Sequence, residues 1–142
     1  MRVAERMGEP AMNTRPLGPG TNAVAALILH CCGVSEFWLG HVALGEPSQR
    51  DREAEFTSTA TLTELRAIVD VSLERAATHL ARLEAGEGTD EGGRQFLHGG
   101  DISDASVVLH VLEELFQHLG HAELTADMVL SPSDGQHDQA PT

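Results

Sequence analysis

Three long segments of this chain space their apolar residues with the period of an α-helix, and the sequence holds no convincing pair of β-strands. The first segment runs from about Ala23 to Leu44, with Thr21-Asn22 as its expected N-cap. Gly45 and Pro47 end it, because neither residue continues a helix readily. Since amphipathic helices bury their apolar faces against one another, the sequence predicts an all-α fold.

The other two long helices have recognisable beginnings. Thr61-Leu-Thr-Glu64 has the pattern of a capping box, which predicts a helix that continues to about Glu84. The last helix is expected from about Ala105 to Leu130, with Ser103 or Asp104 as its cap. Ahead of the first long helix, only Met1 to about Met12 remains as the stub of a fourth.

The connections predict one domain with loose ends. The charged connection Ser48–Ala60 is long for a compact domain, and such connections are often functional or form crossovers. The glycine-rich stretch Gly86–Gly100 is expected to be mobile. Residues 1–130 are therefore assigned to a single helical domain, and residues 131–142 to a disordered polar tail.

The charge of the chain excludes several classes of partner. With 22 acidic and 9 basic residues its formal net charge is −13, which repels phosphate backbones and anionic membrane surfaces. We expect no nucleic-acid or membrane partner, and no apolar run long enough to span a bilayer. Met1–Pro10 has no apolar core of a signal peptide, so the predicted location is the cytoplasm.

The two cysteines favour a structural interpretation. Cys31 and Cys32 are adjacent, and neighbouring cysteines rarely form a disulfide because the geometry strains the backbone. Both lie in an apolar stretch, where cysteine behaves as a small hydrophobic residue. No Cys-x-x-Cys pair occurs, so a thiolate zinc site within one chain is excluded.

The last helix carries the most informative polar pattern. His110, Glu114, His118 and His121 form a polar ridge beside an apolar face. Glu114 and His118 are one helical turn apart, so both side chains can reach one point in space. Helices in bundles present paired metal ligands at this spacing. An ordinary charge pair on a solvated helix face has the same spacing, so the pattern alone leaves both interpretations open.

A third ligand is expected from the first long helix. His30 lies at the middle of an apolar run and is predicted to face inward, where it meets Glu114 and His118 if the two helices pack together. Two histidines and a carboxylate leave coordination positions open and suit zinc, iron(II), nickel or manganese. Alternatively, a buried histidine such as His30 is hydrogen-bonded to a carboxylate or carbonyl. His121 is expected either to support the site by hydrogen bonding or to act as a proton donor.

The remaining histidines are predicted to lie on the surface or in loops. These are His41, His79, His98 and His137.

Two stretches of the chain resemble actinobacterial DinB-like proteins, whose fold is similar to that of mycothiol-dependent maleylpyruvate isomerase. One stretch is His30-Cys-Cys-Gly-Val-Ser-Glu-Phe-Trp-Leu-Gly-His41 followed by Asp51-Arg-Glu-Ala-Glu-Phe56. The other is His110-Val-Leu-Glu-Glu-Leu-Phe-Gln-His-Leu-Gly-His-Ala-Glu-Leu124. The resemblance implies a four-helix bundle with a long crossover between its second and third helices. It also implies a divalent metal, held here by His30, Glu114 and His118.

The chain departs from that family at its first helix, which is a stub. A missing helix would leave an apolar groove along the other three, and large exposed apolar patches rarely persist in monomers. Three explanations are open: a truncated start of the chain, a second subunit that covers the groove as a homodimer, or a degenerate relative of the family.

Three functions follow as hypotheses. The first, which the resemblance implies, is a thiol-dependent transferase, isomerase or hydrolase, in which the metal activates a mycothiol-type cosubstrate against a small electrophile and His121 moves a proton. The second is a non-catalytic metal- or ligand-binding bundle that acts through oligomerisation. The third is an ordinary structural domain in which Glu114 and His118 form a surface pair. Whether the protein is an enzyme is left open.

Overall fold

The computed structural model describes residues 1–89 and 103–131, and within these ranges the chain is helical without strands. The helices are α1 (Arg2–Met7), α2 (Glu9–Met12), α3 (Val24–Ser35), α4 (Arg52–Thr57), α5 (Leu62–Glu84) and α6 (Asp104–Leu130). The backbone of α3 continues directly into a π-helical segment, Glu36–Ala43. This architecture confirms the predicted all-α bundle. The prediction of a disordered tail, and most of the predicted mobile glycine-rich stretch, lie outside the described residues.

The ends of the long helices follow the sequence signals in three of four cases. The capping box is present at Thr61 and Glu64, and the Ser103 side chain accepts a hydrogen bond from the backbone of Ser106. Gly45 ends the first long helix with a φ of 71°, a conformation that glycine adopts without strain. The predicted Thr21-Asn22 cap is wrong. Ala23 occupies the N-cap position without a side-chain bond, and the Thr21 hydroxyl instead donates to the carbonyl of Gly18 in the preceding turn.

The first long helix is the centre of the bundle. Segment α3 packs against α4, α5 and α6, and the π-helical segment packs against α5 and α6. The run Val24–Ala43 is 20 residues long and apolar enough to cross a membrane by length and composition, which corrects the expectation that no such run exists. Its contacts with the surrounding helices are those of a core helix.

The stub at the N-terminus joins the two outer helices. Glu5 of α1 pairs with Arg66 of α5 at 2.6 Å, and Arg6 pairs with Glu123 of α6 at 2.8 Å. Segment α1 also packs against α3, so the stub contacts all three long helices. It is only six residues long, whereas α5 has 23 and α6 has 27.

Beyond this stub, an open groove separates α5 from α6. Segments α5 and α6 barely touch each other along their described lengths, and a cavity of about 230 Å³ lies between them above α3. Leu73 on α5 is 64% exposed and Leu119 on α6 is 51% exposed. The apolar face of α5 is thus only partly covered, because no helix among the described residues packs over its outer half.

Candidate metal centre

Segment α6 carries two of the predicted ligands, Glu114 and His118, and brings their side chains close together. Its helix runs uninterrupted from the cap at Ser103 to Leu130, so Glu114 and His118 lie one turn apart on the same face. Nε2 of His118 is 3.4 Å from Oε2 of Glu114. The two side chains are 18% and 27% exposed, which makes them half-buried rather than members of a solvated surface pair.

The central helix supplies the third residue at the same point. Nε2 of His30 lies 3.9 Å from Oε2 of Glu114, and its side chain is only 4% exposed. The His30 ring meets the His118 ring edge-on, with 4.6 Å between centroids. The structure therefore brings together all three residues that the sequence predicts as ligands, with their ligand atoms within 4.8 Å of one another.

The spacing and chemistry of these atoms fit a divalent metal. Metal–ligand bonds of about 2.0–2.2 Å at tetrahedral angles place neighbouring ligand atoms roughly 3.3–3.6 Å apart, so small side-chain shifts would close the observed separations around an ion. The other ring nitrogen of His118, Nδ1, is buried without a hydrogen-bond partner among the described residues. Two imidazole nitrogens and one carboxylate oxygen form a donor set that suits divalent transition metals, and this donor set is what supports a metal here.

A second layer of polar residues surrounds His30 and was not predicted. Nδ1 of His30 lies 2.8 Å from Oε2 of Glu55, and Arg50 donates two hydrogen bonds to the same carboxylate, at 2.6 and 2.9 Å. Glu55 belongs to α4, a short helix that Asp51 caps through the backbone of Ala54. A Cβ on Gly33 would overlap the Glu55 carboxylate, so glycine at this position makes the close approach possible.

The crossover that the sequence marks as unusually long therefore holds a helix that contacts the central histidine. Phe56, the neighbour of Glu55, also packs on the His30 ring, with 4.5 Å between centroids. Six residues are too few for a periodic apolar pattern, so hydrophobic spacing does not reveal α4. The one available signal is Asp51 followed by acidic residues in the next turn, which is typical of a helix start.

Burial and charge favour a neutral His30 that can act as a ligand. Burial lowers the pKa of His30 below its ordinary value, although the hydrogen bond with Glu55 opposes this shift. Burial pushes the pKa of Glu55 upward, but its hydrogen bonds with Arg50 and His30 outweigh that effect and the pKa is lowered. At neutral pH the centre therefore combines an ionised Glu55 with a largely uncharged imidazole.

The comparisons with known proteins identify the family of the chain. The sequence profile described as mycothiol S-transferase matches residues 2–128, which is most of the chain. The chain belongs to the mycothiol S-transferase family, a DinB-like family. No curated protein and no solved structure matches the chain. Membership in this family confirms the resemblance that His30–Phe56 and the last helix carry in the sequence.

Two further histidines lie beside the three candidate ligands. Nε2 of His110 is 3.9 Å from Oε1 of Glu114, and its ring lies edge-on against Trp38 with 4.4 Å between centroids. His121 is exposed, and its ring stacks at 6.1 Å from that of His118. Partial burial and the proximity of His118 lower the pKa of His121. Neither histidine belongs to the group of three converging ligand atoms.

The structure corrects the interpretation of one other histidine. His79, predicted as a surface or loop residue, is a buried residue of α5 with only 5% of its surface exposed. His41 is half-buried, and its Nδ1 lies 2.6 Å from the backbone carbonyl of Glu46. His98 and His137 lie outside the described residues.

The cysteines agree with the structural interpretation. Cys31 and Cys32 are free thiols and partly buried. Burial, with a smaller contribution from Cys32, raises the pKa of the Cys31 thiol to about 11. A thiol with so high a pKa is a poor nucleophile at neutral pH.

Proposed function

We propose that this chain is a metal-dependent thiol S-transferase, in which His30, Glu114 and His118 hold a divalent cation. The observation that carries the proposal is the convergence of these three side chains from α3 and α6. Two imidazoles and one carboxylate suit zinc, nickel, iron(II) or manganese and leave coordination positions for a substrate. The family description supports a mycothiol-type thiol as the substrate. We propose that the whole thiol adds through its sulfur to a small electrophile, with an S–C bond forming as the S–H proton is lost.

Each residue of the centre has a distinct role in this proposal. A bound divalent cation would favour the thiolate form of a coordinated thiol at neutral pH. His30 and His118 supply imidazole nitrogens, and Glu114 supplies a carboxylate oxygen. His121, whose lowered pKa leaves it largely unprotonated at neutral pH, accepts the proton that the thiol loses.

The electrophile is assigned to the apolar cavity that opens beside His118. This cavity of about 230 Å³ has His118 in its wall together with aliphatic side chains of all three long helices. Among its aliphatic residues are Leu27, Ile28, Val69, Leu73, Leu115 and Leu119. A small apolar substrate would remove this surface from water while its reactive carbon stays next to the centre.

Elemental analysis tests the metal first. The wild-type protein and a His118→Ala variant are exchanged into metal-free buffer and then offered zinc, nickel or manganese. We expect near-stoichiometric metal in the wild type and loss in the variant. Metal in neither protein, or equally in both, would contradict the proposed centre.

A thiol assay then tests the reaction. Metal-loaded protein is mixed with mycothiol and an apolar electrophile, and the thioether product is followed by mass spectrometry. We expect product formation that stops on chelation and is absent in His118→Ala. A protein that binds metal but gives no product and no thiol-dependent change in the spectrum of bound cobalt would instead support the non-catalytic function.

The open groove favours that second function, in which a metal- or ligand-binding bundle acts through oligomerisation. A homodimer that packs this face against a second copy would cover Leu73, Leu119 and their neighbours. Light scattering after size-exclusion chromatography tests it, with Leu73→Glu as the variant. A dimer that becomes a monomer on this change would support the interface, and a monomeric wild type would exclude it.

The proposal also covers the setting of the protein. We propose a cytoplasmic protein with a single domain over residues 1–130. Its net charge of −13 argues against nucleic-acid and membrane partners.

A further inference from the structure

We propose that Glu55 is a positioning residue, which holds His30 in the tautomer and orientation that a metal ligand requires. The inference rests on the proposed metal centre but concerns a residue outside the three ligands. It also gives the crossover helix α4 a role, since α4 is the element that carries Glu55 to the central helix.

The short contact at Nδ1 decides the tautomer of His30. An ionised carboxylate can only accept hydrogen bonds, so the nitrogen that lies 2.8 Å from Oε2 of Glu55 must carry the hydrogen. Arg50 Nη2 lies 3.2 Å from the same nitrogen, but an Nδ1 that carries a hydrogen has no lone pair with which to accept, so the hydrogen bond of Nη2 is the one to Oε2 of Glu55 at 2.9 Å. Both donors therefore point to one oxygen. The hydrogen on Nδ1 leaves the lone pair of His30 on Nε2, which faces Glu114 at 3.9 Å.

The same contacts fix the orientation of the ring. Phe56 packs on the His30 ring, while His118 meets it edge-on. Glu55 is itself held by two hydrogen bonds from Arg50, and its side chain is only 12% exposed. A ligand that is oriented before the metal arrives loses less conformational freedom on binding, and such supporting carboxylates are typically worth about 10–100-fold in metal affinity.

If Glu55 had a purely structural role, its pair with Arg50 would be sufficient. The pair with Arg50 alone, two residues within the same connection, would stabilise the start of α4 without involving α3. Instead Gly33 leaves space for the carboxylate against the central helix, and one carboxylate oxygen serves both Arg50 and His30. This shared oxygen links the crossover to the centre.

The test compares Glu55→Gln and Glu55→Ala with Glu46→Gln as the matched control. Glu46 contacts the other buried histidine, His79, at 3.2 Å, so the control removes a similar charge away from the centre. Two quantities are measured, which are zinc affinity by chelator competition and the imidazole nitrogen-15 NMR shifts of metal-free protein near neutral pH. Circular dichroism checks that each variant is folded, and Glu55→Gln preserves the shape of the side chain if Glu55→Ala does not fold.

We expect the wild type to show His30 protonated at Nδ1 and Glu55→Ala to lose that preference. Zinc affinity should fall by about 10–100-fold in Glu55→Ala, fall less in Glu55→Gln, and stay unchanged in Glu46→Gln. Unchanged zinc affinity and unchanged His30 shifts in folded Glu55→Ala or Glu55→Gln would overturn the proposal. If the wild type binds no zinc, the proposed function fails, and the shifts of metal-free protein still decide whether Glu55 sets the tautomer.

Discussion

Two buried histidines in this chain have closely similar neighbours. His30 on α3 contacts Glu55, which is held by Arg50, and His79 on α5 contacts Glu46, which is held by Arg82. The similarity extends to the central helix, because each carboxylate lies against one of its glycines. Gly33 stands beside Glu55, and a Cβ on Gly40 would lie 3.2 Å from the carboxylate of Glu46.

The two clusters differ at the second ring nitrogen. Nε2 of His30 faces Glu114 and His118, which offer two more ligand atoms. Nδ1 of His79 is buried without a hydrogen-bond partner among the described residues, and no other candidate ligand group forms around it there. Burial of a histidine beside a Glu–Arg pair is thus insufficient for a metal centre. What distinguishes the His30 cluster is that α6 brings a carboxylate and an imidazole to the free side of the ring.

The largest expected difference between the clusters is in metal-dependent stability. His118→Ala removes a ligand, whereas His79→Ala removes the buried histidine of the other cluster. Metal at about 100 times its Kd should stabilise the wild type and His79→Ala by about 2.7 kcal/mol, and His118→Ala by almost nothing. Thermal unfolding with metal and with chelator measures this. An equal metal-dependent shift in His118→Ala would show that the ion binds elsewhere.

An intermediate effect is expected from the two glycines. Gly33→Ala forces the Glu55 carboxylate to move, so metal affinity should fall by about tenfold. Gly40→Ala places a Cβ 3.0 Å from Cε1 of His79, a contact that a shift of a few tenths of an ångström relieves, and should leave metal affinity unchanged. Chelator competition is the informative measurement, because alanine also raises helix propensity by about 1 kcal/mol and can mask a loss of stability. Equal metal affinities in Gly33→Ala and Gly40→Ala would contradict the expected difference between the two clusters.

The smallest effect concerns the pH dependence of the His79 cluster. Burial raises the pKa of Glu46, but hydrogen bonds with Arg82 and His79 outweigh this and the pKa is lowered. The ionised form is therefore stabilised by folding, so its contribution is present above the unfolded pKa of about 4.3 and is lost as the pH falls through the folded pKa. Because Glu46 is partly exposed, we expect Glu46→Gln to lower stability at pH 7 by at most about 1 kcal/mol.

Urea unfolding of the wild type and Glu46→Gln at a series of pH values checks this. The difference in unfolding free energy should shrink as the solution becomes acidic. A difference that grows on acidification would mean that the Glu46 carboxylate is not stabilised by its partners in the folded protein.

Local patterns were sufficient for the three long helices and for the pairing of Glu114 with His118. Thr61 and Ser103 begin their helices as their side-chain chemistry predicts, since a cap depends on residues a few positions apart. Glu114 and His118 meet for the same reason, because one helical turn separates them. His30 could be predicted as inward-facing from its apolar neighbours, and the family resemblance placed it with the other two.

The features that the sequence did not predict depend on contacts between segments that are distant in sequence. Glu55 reaches His30 across 25 positions, and His79 is buried on a helix whose exposed neighbours gave no sign of it. The two interpretations of His30, a metal ligand or a histidine hydrogen-bonded to a carboxylate, are compatible because its two ring nitrogens face different partners. One contacts a carboxylate and the other faces the candidate ligands.

The sequence by itself determined the three long helices, the caps at Thr61 and Ser103 and the pairing of Glu114 with His118, because these depend on the helical period and on side chains within one turn. Only the tertiary structure decided which buried histidine faces further ligands and which does not. That distinction depends on how α4, α5 and α6 pack around α3, and on where two glycines leave room for a carboxylate. Such contacts join positions tens of residues apart, where no local periodicity records them.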